Sequence, residues 1–459
     1  MFSMNMKIKN KQPGFTIVEL IIVIVVIGIL AVLVIVAYGG IVSYSQQTSA
    51  KHDLAQVVKA LEVYKVGSAN EDYPSGLALI NISNNATTTY EYSVDNGVIP
   101  KTYCVTVTVG SSNFYASSAS TVATSGACPG HVGVSASSGS TLALNGGVVT
   151  TVVTSGVTLT DLRGVVVDNS GNIFVTSQSQ RKILKVDTGG VVTVFAGSGT
   201  NATTDGTGTA ASFNTPGGLA IDSSGNMYLA ECNGYRIRKI SPAGVVTTLA
   251  GSSNYGAIDG TGSAARFWCP QGVAVDNSGN VYVADGNNNR IRKVTPAGVV
   301  TTLAGSGVAG YADGTGTSAQ FSGPVGIAVD SSSGNVYVAD DLSSRIRKIT
   351  PAGVVTTLVG GGVAGYSDGT GAAAMVNTSR GGMTVDSDGK IYLADGNNNR
   401  IRVITQAGVV TTLAGSGVSG SVDGVGISAR FGYPRNLFVT PTGVVYVSDN
   451  STSKIRKIQ

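Results

Sequence analysis

Charged residues and histidines are scarce in this sequence. Only 12% of its 459 residues are charged, and the formal net charge is +4. The two histidines, His52 and His131, suit solvated or packing positions better than metal binding, and the stretch 132–459 contains none. That stretch therefore lacks the side chain most used for general-base catalysis and metal binding. Acidic residues interleaved with the basic ones also argue against a nucleic-acid partner.

Glycine and aliphatic residues are abundant instead. The chain contains 63 glycines and 42% hydrophobic residues, a balance that favours turn-rich β structure over disorder. The chain is longer than one ordinary core allows, so we expect two or more domains. The four cysteines are even in number and are expected to pair if the chain leaves the cytoplasm.

A long apolar segment lies close to the N-terminus. Residues 1–14 form a short basic segment, and residues 17–38 are apolar except for Glu19. About twenty apolar residues at about 1.5 Å per residue cover a hydrocarbon core of about 30 Å, which predicts a membrane-spanning helix. The lysines before it favour a cytoplasmic N-terminus and an external C-terminal part. A plain signal anchor would leave Glu19 unexplained, because a carboxylate in a membrane helix is costly.

The sequence GFTIVEL, which begins at Gly14, resembles the processing site of type IV prepilins and type II secretion pseudopilins. The resemblance implies a leader peptide at 1–14. A prepilin peptidase would cut after Gly14 and methylate the new terminus, Phe15. Glu19 would then neutralise the N-terminal ammonium of a neighbouring subunit. The helix would cover 15–66, anchor the chain in the membrane and later pack against other pilin subunits.

Residues 67–131 are predicted to form a small globular head. The segments TTTYEYSV, YCVTVTV and NFYASS are typical of β-strands, and they follow the amphipathic end of the helix. A long helix with a small antiparallel sheet is the α+β architecture of a small pilin, which this region resembles. The resemblance implies a Cys104–Cys128 disulfide. Residues 132–145 predict a short flexible linker.

The rest of the chain is repetitive. The basic residues that open RIRKI-like strands recur every 54 or 55 residues, at Lys182, Arg236, Arg290, Arg345, Arg400 and Lys454. Each unit predicts four short strands joined by Asn/Ser/Gly and Pro/Gly turns. Six such units predict an all-β six-bladed propeller over 146–459. The last unit lacks its fourth strand, and the similar segment 146–154 is expected to complete it and close the ring.

The repeat resembles the NHL family. Propellers of that family bind proteins, nucleic acids or sugars, and some are lyases, so the resemblance implies a fold more firmly than a function. The related lyases use histidines, which the stretch 132–459 lacks. We therefore expect no enzyme activity.

Two sets of acidic residues recur with the repeat. One acid lies five residues before five of the six repeated basic positions, with Ser177 breaking the series before Lys182. This acid is interpreted as half of a structural bracket with its basic residue, at Glu231, Asp285, Asp340, Asp395 and Asp449. The other lies in Asp-Gly loops between units, at Asp205, Asp259, Asp313, Asp368 and Asp423. Asp-Gly predicts a tight turn, and these carboxylates are also candidate calcium ligands; no other cofactor is expected. The loops are expected to gather with the NNNR loops into a polar rim, the candidate binding surface.

Two cysteines fall within the predicted propeller. Cys232 lies in the loop between the second and third strands of its unit, and Cys269 lies in the loop that leads into the next strand. Both kinds of loop are expected on the same face, so a Cys232–Cys269 bridge would join blades two and three. Two buried free thiols are the alternative, because sequence does not define the Cα separation that a disulfide requires.

Three functional hypotheses follow. The leading one is a minor or tip subunit of a type IV pilus-like filament that displays the propeller for adhesion to an extracellular protein or carbohydrate. The second is a pseudopilin of a type II secretion or DNA-uptake machine, and the third is a membrane-anchored propeller lyase. Under the leading hypothesis the chain lies first in the cytoplasmic membrane with its C-terminal part outside, and then in a filament or on the cell surface.

Overall fold

The computed structural model divides the chain into two compact units, Met1–Leu144 and Asn145–Gln459. It describes residues 147–459 except 153 and 378–380, together with the backbone of four strands in the first unit. The predicted leader 1–14, helix 15–66 and linker 132–145 lie outside the described residues. None of the helices in the described part has the length and apolar character that a bilayer crossing requires.

The four strands of the first unit form an antiparallel sheet in the order β1-β2-β3-β4. They are β1 (Thr88–Asp95), β2 (Thr102–Val109), β3 (Ser112–Ser117) and β4 (Ser120–Ser125). The first three correspond to the segments predicted from the sequence, whereas β4 was not predicted. Cys104 lies on β2, opposite Ser93 and Ser117. Cys128 lies outside the described residues, so the Cys104–Cys128 bridge stays a prediction.

The second unit consists of six sheets, and its first strand, β5 (Val148–Thr151), belongs to the last of them. The first blade contains β6 (Ser155–Gly156), β7 (Leu162–Val167), β8 (Ile173–Ser177), β9 (Lys182–Val186) and β10 (Val191–Ala196). The second contains β11 (Gly206–Thr207), β12 (Pro216–Ile221), β13 (Met227–Glu231), β14 (Arg236–Ile240) and β15 (Val245–Gly251). The third contains β16 (Gly260–Thr261), β17 (Pro270–Val275), β18 (Val281–Asp285), β19 (Arg290–Val294) and β20 (Val299–Ala304).

The remaining blades repeat this arrangement. The fourth contains β21 (Gly314–Thr315), β22 (Pro324–Val329), β23 (Val336–Asp340), β24 (Arg345–Ile349) and β25 (Val354–Val359). The fifth contains β26 (Gly369–Thr370), β27 (Met383–Val385), β28 (Ile391–Asp395), β29 (Arg400–Ile404) and β30 (Val409–Ala414). The sixth contains β31 (Gly424–Val425), β32 (Pro434–Val439), β33 (Val445–Asp449), β34 (Lys454–Ile458) and β5.

Short 3-10 helices occur in two kinds of loop. One kind lies between the two-residue strand and the innermost strand of the same blade, at Gly208–Ala210, Gly262–Ala264, Gly316–Ser318, Gly371–Ala373 and Gly426–Ser428. The other kind joins the second and third strands of a blade, at Gly286–Asn288, Asp341–Ser343 and Gly396–Asn398.

Strand β5 closes the ring. It pairs antiparallel with β34, and the backbone groups of Val148 and Gln459 exchange two hydrogen bonds of 3.0 Å. This strand takes the fourth position in the last blade, where the repeat was short of one strand. The first strands of all six blades contact one another in sequence around the centre, from β7 through β32 and back to β7.

Each sheet has five strands rather than the predicted four. In blades two to six, the two residues that follow the loop aspartate pair with the outermost strand, as Gly206 and Thr207 pair with Val246 and Val245. In the first blade, β6 pairs parallel with β10. The extra strand covers an otherwise open edge, which is why a segment predicted as a loop is held in extended conformation.

The cores lie between the blades. One cluster joins Tyr228 and Ile237 of blade two to Phe267 and Val283 of blade three, and similar clusters occupy the other interfaces. Because both faces of a blade are covered, strands such as β18 are buried at every position. This explains the nearly continuous valine and alanine runs.

The loops between blades and the loops joining second to third strands lie at the same end of the blades. The innermost strand begins opposite the end of the second strand, as Pro216 is paired with Glu231 and Pro270 with Asp285. We call this end the loop face. The opposite end carries the hairpin turns between first and second strands, in which Asp222 accepts backbone hydrogen bonds from Ser224 and Asn226.

We expect Val149→Asp to destabilise the propeller by about 3 kcal/mol or more, because it places a carboxylate in an apolar interface. Val149 is fully buried with Ala394 and Ile401, and Val246 is the equivalent residue in blade two. In thermal unfolding of the full chain, Val149→Asp and Val246→Asp should lower the Tm by similar amounts. Val245→Asp, at a position that is 41% exposed, is the control. An unchanged Tm for Val149→Asp would contradict closure by β5.

Candidate functional site

On the loop face, the NNNR loops contact the loops that enter the blades. The side-chain amide of Asn288 donates to the carbonyl of Gly256 at 2.6 Å, and Asn398 donates in the same way to Gly365 at 2.7 Å. Each NNNR loop is thereby joined to the loop that enters its own blade. The carboxylates of the loop aspartates, however, are hydrogen-bonded within their own blades.

Each loop aspartate holds a buried arginine. In blade two, Arg238 Nη2 lies 2.7 Å from Asp205 Oδ1, and Arg238 Nη1 lies 3.1 Å from Glu231 Oε2. We call this arrangement of one arginine between two carboxylates the arginine clamp. It recurs in five blades, with the arginine at Arg238, Arg292, Arg347, Arg402 and Arg456.

The clamp corrects the predicted bracket. The buried acid at the end of the second strand was expected to pair with the basic residue five positions later, but its ion-pair partner lies seven positions later, as Arg238 follows Glu231. Arg236 lies directly across the strand pair from Glu231, yet its guanidinium turns away to Thr203 and the carbonyl of Gly234. The inner arginine pairs because its guanidinium lies within the blade, where a charge without a partner would be costly.

The clamp also supplies the cation that the calcium hypothesis required. Both carboxylate oxygens of Asp205 are engaged, Oδ1 by Arg238 and the Thr248 hydroxyl, and Oδ2 by the Thr248 backbone N–H. The other loop aspartates accept the same set of bonds from their own blades. Within the described residues, no cluster of three or more His, Cys, Asp or Glu side chains is placed to hold a metal ion.

In the clamps of blades two and three, the pKa of the inner carboxylate is raised and that of the outer carboxylate is lowered. Burial raises the pKa of Glu231 to about 7 against the attraction of Arg238, and burial raises the pKa of Asp285 and of Asp340 to about 6. Burial also acts on Asp205, but hydrogen bonds from Thr248 and Arg238 outweigh it and lower the pKa of that carboxyl. The outer carboxylate is therefore the firmly ionised partner of the arginine.

A central channel opens between the innermost strands. It has a volume of about 260 Å³ and is lined by the first strands of all six blades. At the loop face its polar lining residues are Arg163, Gln178, Gln271, Arg435 and Asn436. The lining residues of this channel include no aspartate, glutamate or histidine.

The side chains at the channel mouth are held by neighbouring loops. Arg163 Nη2 lies 3.1 Å from Asp161 Oδ1, and the Asn450 amide donates to the same oxygen at 3.1 Å. The Arg435 guanidinium lies 5.4 Å from the centre of the Tyr433 ring. The mouth therefore contains two arginines from adjacent blades, one and six.

The residues of the channel mouth were not predicted from the sequence, although a glycine pattern marks their position. Four of the innermost strands have glycine at their third position, and in blade five a glycine immediately precedes the innermost strand; these residues are Gly164, Gly218, Gly272, Gly326 and Gly382. A Cβ on Gly218 would lie 2.8 Å from the carbonyl oxygen of Gln271, so neighbouring strands approach too closely for a side chain. The residue before each glycine, as in Pro-Gln-Gly, is the position that varies at the mouth.

A disulfide joins Cys232 to Cys269 on the loop face. Cys232 lies after β13 of blade two, and Cys269 immediately precedes β17 of blade three. The bond therefore connects a loop within one blade to the loop that enters the next, as the sequence predicted for this pair. Gly14, Phe15 and Glu19 lie outside the described residues.

Comparison with known families agrees with both halves of the chain. The prokaryotic N-terminal methylation motif matches residues 9–35, and the NHL repeat matches residues 267–294, 321–349 and 381–404. The NHL matches fall on blades three, four and five, so the second unit is a six-bladed propeller with NHL repeats. The methylation motif is that of a type IV pilin-like subunit. It indicates processing by a prepilin peptidase and assembly with other pilins.

Individual relatives share the propeller. The chain is 30% identical over 279 residues to the protein SUPPRESSOR OF QUENCHING 1, chloroplastic, of Arabidopsis thaliana, covering 57% of this chain and 26% of the relative. It is 28% identical over 280 residues to NHL repeat-containing protein 2 of Gallus gallus, covering 53% of this chain and 38% of the relative. A solved structure of a Bacteroides thetaiotaomicron protein of unknown function has the same fold, with a TM-score of 0.55 at 16% identity over 82% of this chain and 92% of that chain.

We expect Arg292→Leu to cost about 3–5 kcal/mol of stability, because it leaves the buried carboxylate of Asp285 without its cation. The double variant Asp285→Ser with Arg292→Leu copies the first blade, which has Ser177 and Leu184 at these positions. It should recover at least half of the loss. Denaturant unfolding of the full chain measures both. A double variant as unstable as the single one would show that the charge imbalance is not the cause.

The pH dependence of stability should change in Glu231→Gln. Glu231 titrates near its usual 4.5 in the unfolded chain and at about 7 in the folded one, so the wild-type chain loses stability as the pH rises through this interval. The variant lacks this loss. Between pH 4 and pH 8, its free energy of unfolding should therefore rise by about 3 kcal/mol relative to that of the wild-type chain. Unfolding curves measured across that range test this. Parallel profiles would mean that Glu231 is ionised throughout.

Proposed function

We propose that the chain is a minor or tip subunit of a type IV pilus-like filament and that its propeller is an extracellular ligand-binding and adhesive domain. The observation that carries this proposal is the union of two features in one chain. A methylation motif at 9–35 is followed by a six-bladed propeller that begins at Asn145. A cargo this large on every subunit would crowd a filament shaft, which favours rare or terminal incorporation.

The propeller has features that suit an exported binding domain. The Cys232–Cys269 disulfide is typical of an oxidising compartment outside the cytoplasm. The loop face combines a channel mouth bearing Arg163 and Arg435 with exposed residues on the loops that enter the blades. Concave mouths with a few convergent polar groups are the usual place for ligands. The ligand would approach from the solvent side of the filament.

The same inventory supports a binding role over an enzymatic one. General acid-base catalysis needs a group that titrates near neutral pH and reaches the substrate. The acids whose pKa is raised, such as Glu231 and Asp285, are buried inside blades and bonded to arginine. The channel lining described above offers arginine, glutamine and asparagine, which hold a ligand by charge and hydrogen bonds.

Mass spectrometry of sheared surface filaments tests this proposal. The filament-borne chain should begin with N-methylated Phe15, and an antibody against the propeller should label the filaments sparsely or at their ends. An intact Met1 on the filament-borne chain would contradict the proposal, as would labelling confined to the cell membrane.

The variant Glu19→Ala separates insertion from assembly. Removing the carboxylate lowers the cost of entering the membrane, so insertion should be unchanged or improved. Incorporation into filaments should fall, because the N-terminal ammonium of the neighbouring subunit loses its partner. Normal incorporation of Glu19→Ala would show that Glu19 does not make this contact.

A further inference from the structure

An exposed aromatic cluster lies on the loop face between blades two and three. Tyr255 is 58% exposed and Trp268 is 40% exposed, and their ring centroids lie 5.1 Å apart with the planes tilted by 32°. The ring of Tyr235 meets Tyr255 in an edge-to-face contact at 5.8 Å. The three rings therefore form one aromatic cluster. We call these three residues the aromatic platform.

The platform is held rigidly from below. The Cys232–Cys269 disulfide joins the segment before Tyr235 to the residue after Trp268. The backbone N–H of Trp268 donates to Asp285 Oδ1 at 2.8 Å, and the backbone carbonyl of Trp268 accepts from the Asn287 N–H at 3.1 Å. A backbone anchored in this way loses little freedom when a ligand arrives, which favours binding.

The tyrosines of neighbouring loops are arranged differently. The Arg345 guanidinium lies 4.0 Å from the centre of the Tyr311 ring, and the Arg400 guanidinium lies 3.6 Å from that of Tyr366. Those ring faces are covered by an internal cation. Among the residues that the structure describes, no lysine or arginine lies over Tyr255 or Trp268. Only this loop of the three leaves an aromatic face for an external partner.

Two exposed amides adjoin the platform: Asn254 precedes Tyr255 in the chain, and Asn287 is bonded through its backbone N–H to the carbonyl of Trp268. In blade five, Asn397 donates its side-chain amide to Asn377 Oδ1 at 3.0 Å. In blade three, the equivalent positions are Asn287 and Trp268, and the amide of Asn287 has no hydrogen-bond partner among the described residues. The side-chain amide of Asn254, adjacent to Tyr255, likewise has no hydrogen-bond partner among the described residues. Each amide is thus available both as donor and as acceptor.

We propose that the aromatic platform binds a neutral carbohydrate, with one pyranose ring stacked on Tyr255 and Trp268 and its hydroxyls bonded to Asn254 and Asn287. This inference names the ligand of the displayed propeller and so rests on the proposed function. A sugar ring has an apolar C–H face for the rings and hydroxyls at its edge for the amides, so both features are used at once.

Other ligand classes fit the platform less well. An apolar protein surface would bury the two amides without partners, which is costly. A cationic ligand would be attracted to the ring faces, but it would gain no carboxylate partner from the same loop, because Asp259 is bonded to Arg292 and Thr302. A neutral ligand with many hydroxyls meets neither obstacle.

Trp268 is the only tryptophan in the chain, so its fluorescence reports on the platform alone. The full chain in detergent is titrated with neutral tetrasaccharides of glucose, N-acetylglucosamine, galactose and mannose. At least one should change the Trp268 emission in a saturable way. Tyr255→Ala should weaken that binding at least tenfold and Asn287→Ala about fivefold. Both residues are exposed, so circular dichroism should confirm that the variants fold.

Tyr311→Ala is the matched control. Tyr311 is 60% exposed on the next loop, but its ring faces Arg345, so its removal should change binding by less than twofold. Equal losses in Tyr255→Ala and Tyr311→Ala would overturn the proposal, as would no response to any of the four tetrasaccharides. A response to a leucine-phenylalanine peptide without a response to saccharides would assign the platform to a protein partner and overturn it too.

The filament assay separates this inference from the proposed function. Tyr255→Ala should still enter filaments with N-methylated Phe15 while binding the saccharide weakly. A chain that binds saccharide but never enters filaments would defeat the filament role and leave the platform supported. A chain that enters filaments but gives no saccharide response would defeat the platform alone.

Discussion

A guanidinium held between two carboxylates is the interaction on which the loop face depends. Each clamp arginine also donates to two carbonyls of the loop that enters its blade, as Arg238 donates to Thr204 and Ser212, which lie before and after the edge strand and its 3-10 turn. One buried side chain thus fixes the blade interior, the interblade loop and the outer edge strand together. Removing charges from water is costly, so these groups are stable only as a complete set. The first blade has Ser177 and Leu184 in place of the acid and the arginine, so it lacks both charges.

The clamps divide each interblade loop into a constant base and a variable tip. The base contains the aspartate, the edge strand and the 3-10 turn, and it is nearly the same in blades two to six. The tips of the first two loops differ from the others, with Thr200 in the first and Tyr255 in the second, whereas the third and fourth share the sequence Val-Ala-Gly-Tyr from Val308 and Val363. Because the base is the same, a substitution at a tip changes the surface without changing the ring. The five loops can therefore differ in chemistry on a common frame.

Period and strand chemistry made the propeller predictable. Repeats of 54 or 55 residues with valine-rich strands indicated six blades, and the position of the segment 146–154 indicated how the ring closes. The edge strands were not predicted, because Gly206 and Thr207 have no apolar alternation. The partner of Glu231 was assigned to the wrong arginine, because register places Arg236 opposite it while burial selects Arg238. The platform depends on contacts between loops of separate blades, which no local pattern encodes.

The position of strand β5 determines how the propeller responds to tension along the chain. The chain enters the propeller through this strand, so tension on the N-terminal side is transmitted first to the hydrogen bonds between Val148 and Gln459. Behind those bonds, Asp423 accepts from both the backbone and the hydroxyl of Thr151 and from Arg456, tying the pulled strand to the clamp of the last blade. Tension on the N-terminal side therefore acts first where the ring closes, and the clamp of blade six resists it before any other blade is strained.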